Sequence, residues 1–311
     1  MTGRRHFMRQ AVAQILNRWG ETFGSRDAGS ATVTGLPAAG IRNAQELQVF
    51  GLRRSGNHAV IAWIAQQYNN PIVFLNNARP FQDPFTTYLM GRVPNALPVR
   101  KLNAEETETL RRQPKNLLLL SYEDVNIRKL AKGDLLPDRQ AWLGNSGSQR
   151  RILLLRDFYN WIASRVRLFE NKGRATEDLV PKIEAQIRLW IMYAREFVEE
   201  TKYLGEHDTV PVRFDRWSND DAYRLEILRR LSIPVLNNAC SVVPRAGGGS
   251  SFDGTRFSGS AEEMDVLNRW HYLEAPEHGA LLCLLSQRRT EIEEYNQKIF
   301  GMGYPFPSPS S

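Results

Sequence analysis

Leu47-Gln-Val-Phe-Gly-Leu-Arg-Arg-Ser-Gly-Asn-His-Ala-Val-Ile-Ala-Trp-Ile64 reads as a β-strand, a tight loop bracketed by Gly51 and Gly56, and an amphipathic helix. The two glycines have the spacing of a loop that cradles phosphate. Glycine permits the turn and lets backbone approach an anion closely. A loop that runs into a helix start offers unpaired N–H groups and the positive end of the helix dipole. Arg54 adds a fixed cation and a donor fork. The Lys-Ser/Thr pair that holds a triphosphate and its Mg²⁺ is missing, because Asn57 and His58 stand there. The pattern therefore points to an anion site without metal. The alternative is a plain β–turn–α connection with surface arginines.

The rest of the chain repeats that alternation. Strands are predicted at Glu46–Gly51, Ile72–Leu75, Leu117–Ser121, Ile152–Leu155 and Val210–Phe214. Helices are predicted at Asn57–Gln67, Tyr159–Glu170, Lys182–Tyr203, Ala222–Leu231, Ala261–Leu273 and Glu277–Ile299. Strand–helix alternation with apolar, continuous strands implies an α/β fold: three α/β/α layers around a central parallel sheet. One large domain is expected over 45–304. It follows a basic amphipathic N-terminal helix and linker (1–44) and precedes a disordered tail (305–311).

At Gly51-Leu-Arg-Arg-Ser-Gly-Asn-His58 the sequence resembles the sulfotransferase superfamily, whose 5′-phosphosulfate loop is written G-x-P-[KR]-[ST]-G-T-T. Arg53 replaces the proline and Asn57-His58 the two threonines, which marks a divergent, bacterial-type pattern. A second segment resembles the same family. Arg150-Arg-Ile-Leu-Leu-Leu-Arg-Asp-Phe-Tyr-Asn-Trp-Ile-Ala-Ser-Arg165 reads as a buried strand, a turn and a helix. The family binds a 3′-phosphate with an arginine at such a strand end and a serine eight residues on, the spacing of Arg156 and Ser164. Alone, Arg156 could pair with Asp157 and Ser164 could bond a neighbouring carbonyl. A third, glycine-rich segment, Val243 to Arg256, stands where many sulfotransferases carry a loop that closes over the 3′-phosphate. A flexible linker is the alternative there.

The resemblance implies a P-loop NTPase-like sulfotransferase fold and the cosubstrate 3′-phosphoadenosine 5′-phosphosulfate, with no metal. It implies donor contacts from Arg53, Arg54, Ser55, Gly56, Asn57, His58, Arg156, Ser164, Arg245, Gly247 and Gly248. Arg54 would stabilise the leaving phosphate. The family's base stands at a strand end between the two phosphate motifs, here Asn116-Leu-Leu-Leu-Leu-Ser-Tyr-Glu-Asp124, which makes Glu123 the first candidate and Asp124 the second. Capping of the next helix, Asn126 to Ala131, is the competing role for both. His58 is a third candidate base. Two other functions stay open on the residues alone: a P-loop kinase of small molecules, and a nucleic-acid or polyanion-binding module using Arg53-Arg54, Arg111-Arg112 and Arg150-Arg151. The kinase reading leaves Arg156 and Ser164 unexplained. No nucleic-acid motif accompanies the arginine pairs, so no nucleic-acid partner is expected.

Composition is compatible with all of this. The 311 residues carry 41 basic and 34 acidic side chains, for a net charge of +7, and 42% are hydrophobic. A basic surface suits anionic ligands without choosing among them. Cys240 and Cys283 have no metal or redox spacing and are read as buried small hydrophobes. That fits a cytoplasmic protein. The N-terminal helix has three uses: packing, targeting, or peripheral contact with a membrane. The acceptor, a small molecule, glycan or lipid, would sit among Asn76–Leu110 and Gly133–Ser148, which hold Phe81, Phe85, Tyr88 and Trp142. The oligomeric state is open.

Overall fold

The computed structural model describes residues 40–306, except 92, 94, 99, 175–178, 206–207, 241–242 and 244–248. The expected N-terminal helix and the last five residues lie outside this set, as do Arg245, Gly247 and Gly248. Five strands form one sheet in the order β2-β3-β1-β4-β5: β1 Asn43–Gly51, β2 Ile72–Leu75, β3 Lys115–Glu123, β4 Ser146–Leu155 and β5 Thr209–Arg213. All four pairings are parallel, as the apolar strand runs required. β1 and β4 are nearly buried along their C-terminal halves. Their side chains alternate between two cores. Leu47, Val49, Ile152 and Leu154 face the helix α1 (Asn57–Ala65) through Val60, Ile61 and Trp63. Phe50, Leu153 and Leu155 face Phe158, Trp161, Ile187 and Trp190 on the opposite side.

That order fixes where a ligand can bind. The chain leaves β1 toward β2 and leaves β4 toward β5, in opposite directions. Right-handed crossovers then put the following helices on opposite faces, which opens a crevice at the carboxyl ends of β1 and β4. The register brings the three central strands to a common edge, with Gly51 level with Glu123 and Leu154. The loops carrying Arg54, Asp124 and Arg156 therefore emerge side by side.

Two helix expectations fail for identifiable reasons. Ala261–Leu273 is not one helix but short 3₁₀ turns at Ala261–Glu263 and Arg269–Glu274. The side chain of Asn160 takes its backbone groups instead: Nδ2 donates to the Leu267 carbonyl (2.8 Å) and Oδ1 accepts from the Trp270 N–H (3.1 Å). Glu277–Ile299 is interrupted at Arg288, giving helices Gly279–Gln287 and Arg289–Phe300. The cysteine reading also needs correction. Cys283 is exposed on the first of these helices, where Leu281 and Leu285 take the core positions, and Cys240 is only half-buried.

One buried cation has a measurable consequence. Lys115, fully buried at the start of β3, donates to the carbonyls of Arg111 (3.0 Å) and Gln113 (2.6 Å). Burial, with Arg42 and Arg111 nearby, pushes its pKa from 10.5 down to about 7. Between those two values the unfolded chain binds more protons than the native one, so stability rises with pH across that window. Below about pH 7 both states are protonated and the full cost is present. The unfolding free energy from urea titration is expected to climb by a few kcal/mol between about pH 6 and pH 9, at about 1.4 kcal/mol per unit of pKa gap. Lys115→Met is expected to flatten the climb.

Candidate active site

The loop between β1 and α1 is built around two glycines that no other residue replaces. A Cβ at Gly51 would collide with the Asn57 carboxamide, and one at Gly56 would enter the Phe214 ring. Gly56 also has φ +92, and it caps α1 without any side-chain hydrogen bond, so the helix start stays open to an anion. Gly56→Ala is expected to destabilise the fold by about 2–4 kcal/mol, from the left-handed backbone and the displaced ring together. Urea denaturation would measure it.

The cleft at this edge is lined by Arg54, Gly56, His58, Arg156, Phe214, Trp217, Gly249, Ser250 and Arg269, among others. Its volume, counted out to the solvent mouth, is about 850 Å³. Arg54 holds φ +73, an unusual backbone for a bulky residue, and its Nη2 donates to the Gly249 carbonyl (2.9 Å). Arg156 leaves the end of β4 fully buried. Its Nη1 reaches the Ser164 hydroxyl (3.2 Å) and the Arg54 carbonyl (3.4 Å), and Nη2 donates to the Val266 carbonyl. The guanidinium lies 5.2 Å from the Phe214 ring centroid. Asp157 does not pair with it. That carboxylate caps the next helix (Phe158–Glu170), accepting from the Asn160 N–H at 2.9 Å.

Arg269, which no sequence motif marked, completes a cluster of three. It is 9% exposed, and its Nη2 reaches the Ser250 hydroxyl (3.0 Å) and Asp253 (3.3 Å). Burial first, and then repulsion from Arg269, pushes Arg156 down to about 9 against the pull of Asp157, and Arg54 to about 10 against the pull of Glu123. Burial lowers Arg269 as well, against the pull of Asp253 and Asp265. Desolvating like charges together is costly unless a counter-charge joins them. Among the described residues, Nε of Arg156, Nε of Arg269 and Oγ of Ser55 are buried without a hydrogen-bond partner.

The remaining candidates divide. His58 lines the cleft. Ser164 stands behind Arg156 rather than on the wall, and donates to the Asn160 carbonyl (2.9 Å). Asn57 turns inward. Its Nδ2 donates to the Leu52 carbonyl (3.0 Å) and to Glu123 (2.9 Å), leaving only its backbone for an anion. Glu123 is held between Asn57 and Arg53, whose Nε lies 3.6 Å away. Asp124 accepts from the Arg53 N–H (2.9 Å) and from Arg165 (2.9 Å). It is a brace of the loop and does not cap the 3₁₀ turn at Ile127–Lys132, a role taken by Asn126. The Arg53 side chain is directed to these carboxylates and is 45% exposed. From the glycine-rich segment, Gly249 and Ser250 reach the cleft wall. Phe214 and Trp217, stacked at 5.8 Å, also line it. They follow β5, a strand end to which the sequence reading gave no role.

No metal-binding group of three or more His, Cys, Asp or Glu exists among the described residues, and none of their helices is long and apolar enough to cross a membrane. No protein-family model matches the chain, and no curated protein does. Among solved structures it is similar to a mouse sulfotransferase, SULT7A1, complexed with PAP, at 11% identity over 81% of this chain and 89% of that one, TM-score 0.42. It is also similar to the sulfotransferase domain of the Synechococcus PCC 7002 olefin synthase, at 13% identity over 87% and 99%, TM-score 0.46. Likenesses this distant do not assign a ligand or a reaction.

Proposed function

We propose that the protein is a sulfotransferase that moves a sulfuryl group from 3′-phosphoadenosine 5′-phosphosulfate to a hydroxyl or amine. The observation that carries this is the clustering of Arg54, Arg156 and Arg269 in one desolvated cleft with an open helix start. Such a cluster calls for a ligand with negative charge at more than one point. A nucleotide phosphorylated at both 5′ and 3′ positions supplies it. The loop N–H groups and Arg54 take the 5′ end, while Arg156 and Arg269 take the 3′-phosphate. Phe214 and Trp217 offer the base a stacking surface.

The reaction is an in-line displacement. The acceptor oxygen or nitrogen bonds to sulfur as the bond from sulfur to the 5′-phosphate oxygen breaks. The electron pair leaves with the phosphate, and the acceptor proton passes to a base. Arg54 and the loop N–H groups stabilise the charge that develops on the phosphate. Of the three candidate bases, Asp124 is committed to Arg53 and Arg165, and Glu123 to Asn57 and Arg53. The acceptor approaches from the loops after β2 and β3. Phe81, Leu89 and Met90 leave apolar surface exposed there, which suits an acceptor with an apolar part.

Thermal denaturation with a panel of ligands tests the assignment. 3′-Phosphoadenosine 5′-phosphate without metal is expected to raise the midpoint by several degrees, as ligand linkage requires. ATP with Mg²⁺ as the strongest stabiliser would instead support the kinase reading, and a short single-stranded DNA would support the polyanion reading.

A further inference from the structure

His58 is held by a chain of hydrogen bonds whose proton count can be worked out. The backbone N–H of Asn77 donates to the Ser121 hydroxyl oxygen (2.8 Å). The Ser121 hydroxyl in turn lies 3.1 Å from Oδ1 of Asn76, and Nε2 of His58 lies 2.9 Å from that same oxygen. With one lone pair of Ser121 taken by Asn77, its proton goes to Asn76 Oδ1, an acceptor only. The nitrogen of His58 that meets this oxygen must therefore carry the hydrogen. Asn76 is 6% exposed, its backbone carbonyl accepts from the Leu89 N–H (2.8 Å), and Gly91 packs so closely on its side chain that a Cβ there would lie 2.8 Å from it, which holds the side chain in place beside His58. On the other side, the His58 ring meets Phe74 edge-on at 6.3 Å.

We infer that Asn76 and Ser121 are positioning residues that hold His58 in its Nε2–H tautomer, which makes Nδ1 the proton acceptor of the reaction rather than a hydrogen-bond donor to the bound anion. The inference rests on the sulfotransferase reading for the identity of the reaction, but not for the tautomer. As the acceptor's O–H or N–H attacks sulfur, its proton goes to Nδ1 and the electron pair of the broken S–O bond leaves on the phosphate. The imidazolium that forms donates through Nε2 to Asn76 and afterwards returns its proton to solvent. The charged groups sharing its cleft are Arg54, Arg156, Arg269 and Glu262.

The test is two-bond ¹H–¹⁵N correlation on the full chain labelled with ¹⁵N-histidine, alone and with 3′-phosphoadenosine 5′-phosphate. The His58 signals are identified by their loss in His58→Asn. At about pH 8 the neutral Nε2–H form is expected. Asn76→Leu is expected to give the Nδ1–H form or a mixture. Asn76→Asp is expected to keep Nε2–H and move the titration to higher pH. In turnover, Asn76→Leu is expected to lower kcat about tenfold or more with donor KM little changed, the usual cost of losing an orienting partner. Asn76→Asp is expected to retain activity, with the acidic limb of kcat at higher pH. An Nδ1–H tautomer in the wild type, an imidazolium at that pH, or an unchanged tautomer in Asn76→Leu would overturn the inference. If Asn76→Leu does not fold, the Asn76→Asp titration decides alone, and no shift counts against the inference. An Nε2–H tautomer in a protein that does not bind the nucleotide would leave the positioning intact and remove the sulfotransferase reading.

Discussion

Arg54→Gly is expected to lower turnover by about 100- to 1,000-fold, the usual loss when a donor to the developing charge is removed, with a much smaller effect on the stability of the ligand-free protein. The two expectations come from one geometry. Arg54 sits at φ +73, where a side chain costs roughly 1–2 kcal/mol and glycine costs nothing. Its cation is mostly desolvated and repelled by Arg269, against the attraction of Glu123. Removing it relieves strain and repulsion, which offsets part of the loss of the bond to the Gly249 carbonyl and of the attraction to Glu123. The measurements are release of radiosulfur-labelled sulfate from the donor and the thermal midpoint, on the same preparations. A variant that is less stable and fully active would mean that Arg54 is a structural tie.

Arg156→Ala is expected to weaken binding of 3′-phosphoadenosine 5′-phosphate by about 100-fold, roughly 3 kcal/mol, the scale of a truncated buried charge pair. Arg156→Lys is expected to recover only part of this, because an ammonium keeps the charge but loses the fork that reaches Ser164 and Val266 together. The effect should depend on the ligand. Adenosine 5′-phosphate, which lacks the 3′-phosphate, is expected to bind wild type and Arg156→Ala within a fewfold of each other. Equal losses for both nucleotides would place Arg156 in the support of the loop, through the Arg54 carbonyl at 3.4 Å, rather than on the 3′-phosphate.

The parts of the site legible in the sequence are those where local backbone and contact coincide. Gly51 and Gly56 bracket a turn whose backbone needs them, and Arg156 and Ser164 lie one strand end and two helical turns apart, so their spacing records a real contact of 3.2 Å. The Asn57 side chain fits an anion donor by type, whereas the fold uses it to cover Gly51 and hold Glu123, which leaves its backbone for that role. Arg269 was invisible for a different reason. It reaches the cleft from a segment whose apolar spacing suggests a helix, and only the side chain of Asn160, more than a hundred residues earlier, unwinds that segment and brings it over Arg156. Phe214 and Trp217 belong to no recognised motif. The signal available for them was position, just past the carboxyl end of a strand neighbouring β4, where open parallel sheets bind ligands. Strand identity was the most robust reading, since apolar runs survive errors of a few residues at their ends. β1, β3 and β4 all extend further toward their N-termini than hydrophobicity alone indicated, because buried polar residues such as Asn43, Gln45 and Lys115 continue the ladders.

The central claim is that the three-arginine cleft takes a nucleotide phosphorylated at both ends of its ribose, without metal. Calorimetric titration of wild-type protein with 3′-phosphoadenosine 5′-phosphate and with adenosine 5′-phosphate, both in chelator, tests it most directly. One site per chain and at least about tenfold tighter binding of the bisphosphate are expected, a difference of about 1.4 kcal/mol or more. Equal affinities, or binding that appears only with ATP and Mg²⁺, would contradict it.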